Sequence, residues 1–231
     1  MSFSVHRWCW RVPVPNCGML AAVLLIISSY GTAQAGKSET PGALNNPAVP
    51  GAIRQALAPK GYRILPDINS PAIQVWYRKE VPAQPKNASA DAIYDRLAES
   101  TLLGVIYFSK PAQDYRDQTV PAGFYTLRYT LMPNDGNHLG VAPSRDFLLL
   151  IPASADPGPG KMLKFQELVA LSRQASGTKH PAPLSLVQAE DGATPATSKD
   201  DEGHVIFTTQ VHLSSGEEMP LALVVKGTAP Q

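Results

Sequence analysis

GFYTLRYTLMPNDGNHLGVAPSRDFLLLIP, residues 123–152, holds two strand patterns and the polar loop between them. Tyr125, Leu127, Tyr129 and Leu131 alternate with Phe124, Thr126, Arg128 and Thr130. That period of two predicts a strand with one apolar face and one largely wet face. Phe147 to Ile151 is an unbroken apolar run closed by Pro152. Too short for a helix, it predicts a central strand covered on both faces.

The segment from Pro133 to Ser144 joins the two patterns and contains Asp135-Gly136 with Asn134 and Asn137. Asp-Gly supplies positive φ and Asn bonds its own backbone, so the segment reads as a shaped turn. It gathers Asp135, Asn137, His138, Arg145 and Asp146 at one end of the strand pair, and these five are the candidate ligand-binding residues. Asp and Asn form turns whatever the function. His138 and the Arg145-Asp146 pair have no turn-forming role. The oxygens of Asp135 and Asp146 with the imidazole of His138 suit a divalent metal, while Arg145 suits an anionic group.

Working outward, Arg7 and Arg11 precede an apolar run from Met19 to Ile27, and Ala33-Gln34-Ala35 offers small residues for cleavage. Residues 1–35 therefore read as a signal peptide, with export to the periplasm or beyond. The alternative is an uncleaved anchor, the sole membrane attachment the sequence offers. Cys9 and Cys17 are the two cysteines and both lie in this leader, so the remaining chain is free of disulfides. It keeps 18 basic against 19 acidic residues, a balance with no electrostatic case for nucleic acid.

Residues 36–60 are rich in Gly, Ala, Asn and Pro and read as a flexible N-terminal segment, with one or two helical turns from Pro50 to Leu57. Short strand patterns follow at Tyr62–Leu65, Ile73–Tyr77, Leu102–Phe108, Leu184–Val187, Val205–Leu213 and Leu221–Val225. Ala92–Glu99 suggests a further helical turn, Phe165–Ser172 an amphipathic helix ending by Gly177, and Asp191–Gly203 a polar loop. The sum is a mostly β chain: residues 61–231 as a single antiparallel β-sandwich of about eight short strands with one or two short helices.

Gly61-Tyr62-Arg63, Ala98-Glu99-Ser100-Thr101, Asp135 to Val141 and Arg145-Asp146-Phe147-Leu148-Leu149 together resemble an uncharacterised family of exported proteins from acidobacteria and their soil relatives. The resemblance covers nearly all of the chain beyond the leader. It implies export and a sandwich fold, and it carries no activity, cofactor or catalytic residue.

Catalytic signatures are sparse. Ser176-Gly177-Thr178-Lys179 fits Ser-x-x-Lys, but the Ser-Asp-Asn and Lys-Thr-Gly partner motifs are absent. No His-Glu-x-x-His, Gly-x-Ser-x-Gly or phosphate-cradling Gly-rich loop occurs. His180 and His212 read as surface residues, and Tyr125 and Tyr129 as core. The expectation is a non-enzymatic binding or interaction domain for a protein, glycan or small ligand, with the 134–146 loop as its contact surface. No catalytic residue is assigned and no cofactor beyond the candidate metal at Asp135, His138 and Asp146. Two other classes fit the same residues: a metal-assisted or acid-base hydrolase built on that loop, and a structural envelope protein.

Overall fold

The computed structural model describes residues 40–88, 91–134 and 142–229. The leader, and Asp135, Asn137 and His138 of the loop, lie outside the described residues. Strands β1 (Tyr62–Ile64), β2 (Ile73–Tyr77), β3 (Leu102–Phe108), β4 (Ala112–Gln113), β5 (Thr119–Val120) and β6 (Gly123–Leu131) occupy the first half. β7 (Asp146–Pro152), β8 (Pro183–Val187), β9 (Ala196–Lys199), β10 (Val205–His212) and β11 (Glu218–Lys226) follow, with helices α1 (Gly51–Ala56) and α2 (Phe165–Ser176). No helix among the described residues is long and apolar enough to cross a membrane.

Nine strands form one sheet in the order β1-β2-β3-β6-β7-β8-β11-β10-β9, every neighbour antiparallel; β4 and β5 make a separate small hairpin. The mostly β, antiparallel class thus matches the sequence pattern. Two separate sheets do not result, because β8 bonds β7 on one edge and β11 on the other. The continuous sheet curls until it is nearly barrel-shaped. Its ends approach each other: the Tyr62 ring of β1 lies 5.2 Å from Phe207 of β10, and Val81 exchanges backbone hydrogen bonds with His212 and Ser214.

Pleat parity decides what fills the interior. Tyr125, Leu127, Tyr129 and Leu131 of β6 are buried in one core with Leu148 and Leu150 of β7, Val75 and Tyr77 of β2 and Leu221 and Leu223 of β11. The outer face is also covered. Leu44, Val49, Ile53 and Leu57, in the stretch expected to be flexible, are buried against Trp76, Leu102 and Val105. Trp76 donates its Nε1–H to the Gly42 carbonyl, 2.8 Å away. At Gly104 a Cβ would stand 2.2 Å from the Trp76 backbone oxygen, so only glycine lets β3 approach β2 at its bulge.

The largest departure from the sequence pattern lies on the outer face of β6. Thr126, Arg128 and Thr130, the positions expected to be wet, are buried. Arg128 makes a bidentate pair with Asp156, Nε to Oδ2 and Nη2 to Oδ1, both at 2.7 Å. Its other N–H groups reach the carbonyls of Ser100 at 2.6 Å, Gly158 at 2.7 Å and Lys161 at 2.9 Å, so all five donors are used. Thr126 Oγ1 donates to Asp156 as well, and Leu163 N–H donates to Ser100 Oγ. The segment 156–163 is thereby held flat on the sheet, and α2 begins immediately after it.

Ala92–Glu99 forms turns, not a helix. The N–H groups of Ile93 and Tyr94 are taken by the Asp146 carboxylate, 53 and 52 residues away in sequence, and Leu97 N–H bonds the Tyr94 carbonyl in a single turn. Within 191–203, expected to be loop throughout, Ala196–Lys199 forms the exposed edge strand β9 on β10.

Arg128→Leu or Asp156→Leu is expected to lower unfolding free energy by about 3–5 kcal/mol, since each leaves a buried charge unpaired. The double variant should recover part of this and not all, because three carbonyls still lose their donor. Urea denaturation of the three variants checks this; a single-variant loss below about 1 kcal/mol would contradict it.

Candidate functional site

Asp146 and Arg145 stand where the loop re-enters the sheet, Asp146 paired in register with Leu131. Asp146 is fully buried. Its Oδ1 accepts from Tyr129 Oη at 2.6 Å and from Tyr94 N–H at 3.0 Å, and its Oδ2 from Ile93 N–H at 3.1 Å. Burial first, then this carboxylate, pushes the Tyr129 phenol well above its ordinary range. Arg145 donates Nε–H to the Met132 carbonyl at 2.8 Å and pairs with Asp91 at 3.3 Å. The two residues therefore anchor the ends of the loop and the 91–97 turn. Because Asp135, Asn137 and His138 lie outside the described residues, the five candidates are not seen together as one site.

Beside the foot of that loop, a cleft of 660 Å³ runs between α2 and the outer face of the sheet and includes Met132 and Pro133 in its wall. Leu149 of β7 packs with Val169 and Phe165 of α2, and Phe147 packs with Tyr115 and Met132, giving an apolar floor. Two buried side chains that line the cleft, Tyr115 and Thr130, carry hydroxyls with no hydrogen-bond partner among the described residues. Arg116, Arg173 and His180 stand at its edge and are exposed. Arg116 comes from the β4–β5 turn, which is held by Asp114: its buried carboxylate accepts from the N–H groups of Arg116 at 2.8 Å and Gln118 at 2.9 Å. Burial raises the Asp114 pKa against these hydrogen bonds.

A second, larger cavity of 920 Å³ opens at one mouth of the curled sheet, lined by the core residues Ile73, Phe108 and Val225 and by Lys110, Lys226 and His204. Asp67 reaches across this end to Lys199 of β9 and Lys226 of β11, whose hydrogen bonds hold its carboxyl down at about 2. His204 is buried, with Nδ1 2.8 Å from Asp200 Oδ2 and Nε2 3.0 Å from the Thr228 carbonyl. Both neighbours are acceptors, so this geometry suits the doubly protonated imidazolium. Gly227 makes room for the ring: a Cβ there would lie 2.2 Å from His204 Cδ2. Asp200, Glu202 and His204 bring their ligand atoms within 4.8 Å of one another, but the imidazole is already committed at both nitrogens.

The sequence pattern places His212 and His180 on the surface, and both are exposed. It does not reveal Arg128, Asp156, His204 or the residues of the cleft as functional or structural centres. One signal exists for the buried pair: an arginine sits mid-strand in the strongest strand pattern, and Asp156 is the sole acid between Asp146 and Glu167. Nothing in the sequence marks Tyr115, Thr130 and Arg173 as neighbours. Comparison with protein-family models, with curated proteins and with solved structures finds no match for the chain.

Burial alone would lower the His204 pKa, but the hydrogen bond to Thr228 and the hydrogen bond and charge of Asp200 outweigh it, so the net shift is upward. A raised folded-state pKa contributes stability fully present below the ordinary histidine value of about 6.5 and lost as pH rises through the raised value. Asp200 is shifted down, burial opposing and the bonds to His204 prevailing, so its share is lost as pH falls through that lowered value. His204→Gln should therefore be less stable than wild type in the mildly acidic range, with the gap narrowing toward high pH. Urea melts from about pH 5 to about pH 9 read the gap; a pH-independent gap would exclude the imidazolium pair.

Proposed function

We propose that this chain is an exported, non-enzymatic binding module, and that its ligand occupies the cleft between α2 and the sheet at the foot of the 134–146 loop. The observation that carries this reading is the pairing of an apolar floor, Phe147, Leu149, Phe165 and Val169, with Tyr115 and Thr130, whose hydroxyls have no partner among the described residues. Buried polar groups in folded proteins are nearly always satisfied, and an orphaned pair beside a concave apolar surface is what a ligand with matching polar atoms would complete. The volume, 660 Å³, falls in the range of small-ligand pockets. Export is the reading of the leader and its cleavage pattern.

Binding should be visible with N-phenyl-1-naphthylamine, a neutral apolar dye that brightens out of water. Saturable enhancement at one site per chain is expected from the purified protein. Val169→Trp fills the floor of the cleft, and Gln166→Trp, at an exposed position on its wall, obstructs it without touching the core. Both variants should melt as folded proteins and lose most of the enhancement. Absence of saturable binding, or binding that neither variant changes, would remove the cleft as the ligand site.

A further inference from the structure

Resting on that reading, we infer that the ligand is an amphipathic carboxylate, an apolar body ending in one anionic head held by Arg116 and Arg173. The two arginines come from different elements, the β4–β5 turn and the last turn of α2, and both line the same cleft. Neither makes an ion pair or a side-chain hydrogen bond among the described residues, whereas Arg96, Arg128 and Arg145 each have an acidic partner. One acid lines the cleft, Asp117, and its Oδ1 is occupied by Gln113 Nε2.

Two arginines lining one apolar cleft set the sign of the ligand. A cationic head would be repelled, and a neutral one would leave their planar donor forks unused. The apolar floor in turn excludes a small inorganic anion as a complete ligand, since it would leave the hydrophobic surface uncovered. The charge pattern and the apolar floor together specify a molecule with both properties.

The test uses two ligands matched in shape and differing in charge, decanoate and decanamide, each displacing N-phenyl-1-naphthylamine from the protein. Decanoate is expected to displace the dye at roughly tenfold lower concentration, the scale of a charge-assisted hydrogen bond. Added salt should narrow the preference. Arg116→Gln with Arg173→Gln should erase the preference, each ligand's displacement being read against the variant's own dye affinity, with the thermal melt reporting that the variant is folded; both side chains are exposed. Equal displacement by the two ligands, or a preference that survives the double variant, overturns the carboxylate inference and leaves the binding reading standing. Failure of the dye itself to bind in a Val169-dependent way overturns both.

Discussion

A guanidinium taken out of water costs several kcal/mol, and the cost is offset only where every N–H finds an acceptor. Arg128 meets that condition by drawing on two separate stretches of chain: Ser100 before β3, and Asp156, Gly158 and Lys161 in the segment between β7 and α2. The pair is best understood as fixing positions, since a well-packed apolar replacement could be equally stable. With Arg128 in place, residues 156–163 have one way to lie on the sheet. Leu163 then donates to Ser100 Oγ, and α2, starting two residues later, is delivered onto Leu149 and Ile151 of β7.

Closure of the sheet rests on a different force. Asp67 bridges to two lysines, but all three side chains are substantially solvated, so water screens both pairs. Burial of Tyr62, Phe207, Val205 and their neighbours contributes more, as the two edges roll toward each other and remove apolar surface from water. Apolar burial closes the interior, and on the outside a polar network over β6 adds to the apolar packing of the 44–57 segment and α2.

That division explains how much could be read from the sequence. Interior positions on β6, β7, β10 and β11 announce themselves by period or by apolar run, because burial against one core constrains one parity. The outer positions of β6 carry Thr, Arg and Thr, a pattern identical to that of a solvated strand face. Only the far partner Asp156, 28 residues on, distinguishes the two cases, and periodicity has no access to it. The 41–57 segment misleads for a related reason: its Gly-, Asn- and Pro-rich composition reads as flexible, yet the turn at Asn46 and helix α1 collect Leu44, Val49, Ile53 and Leu57 over Trp76. The five loop residues share a place in one turn, and for Arg145 and Asp146 the chemistry turns out to be anchoring.

The candidate cleft follows from the same outer row of β6. Thr126 and Arg128 are satisfied by Asp156 and its loop, while Thr130, the next outward position, is left without a partner among the described residues. Between these positions the cover changes. The 156–163 segment ends in α2, which crosses onto β7, and the β4–β5 turn arrives from the other side with Tyr115. Neither element reaches Thr130 with an acceptor, so a strand row that begins as a sealed polar network ends as the wall of an apolar cleft with two exposed arginines and two hydroxyls that have no partner among the described residues. Arg128 joins Thr126 and Ser100 in tying the 156–163 cover, and with it the start of α2, to the sheet beside this gap. The buried ion pair therefore lies outside the cleft, yet it helps to fix the cover that forms one of the cleft's sides.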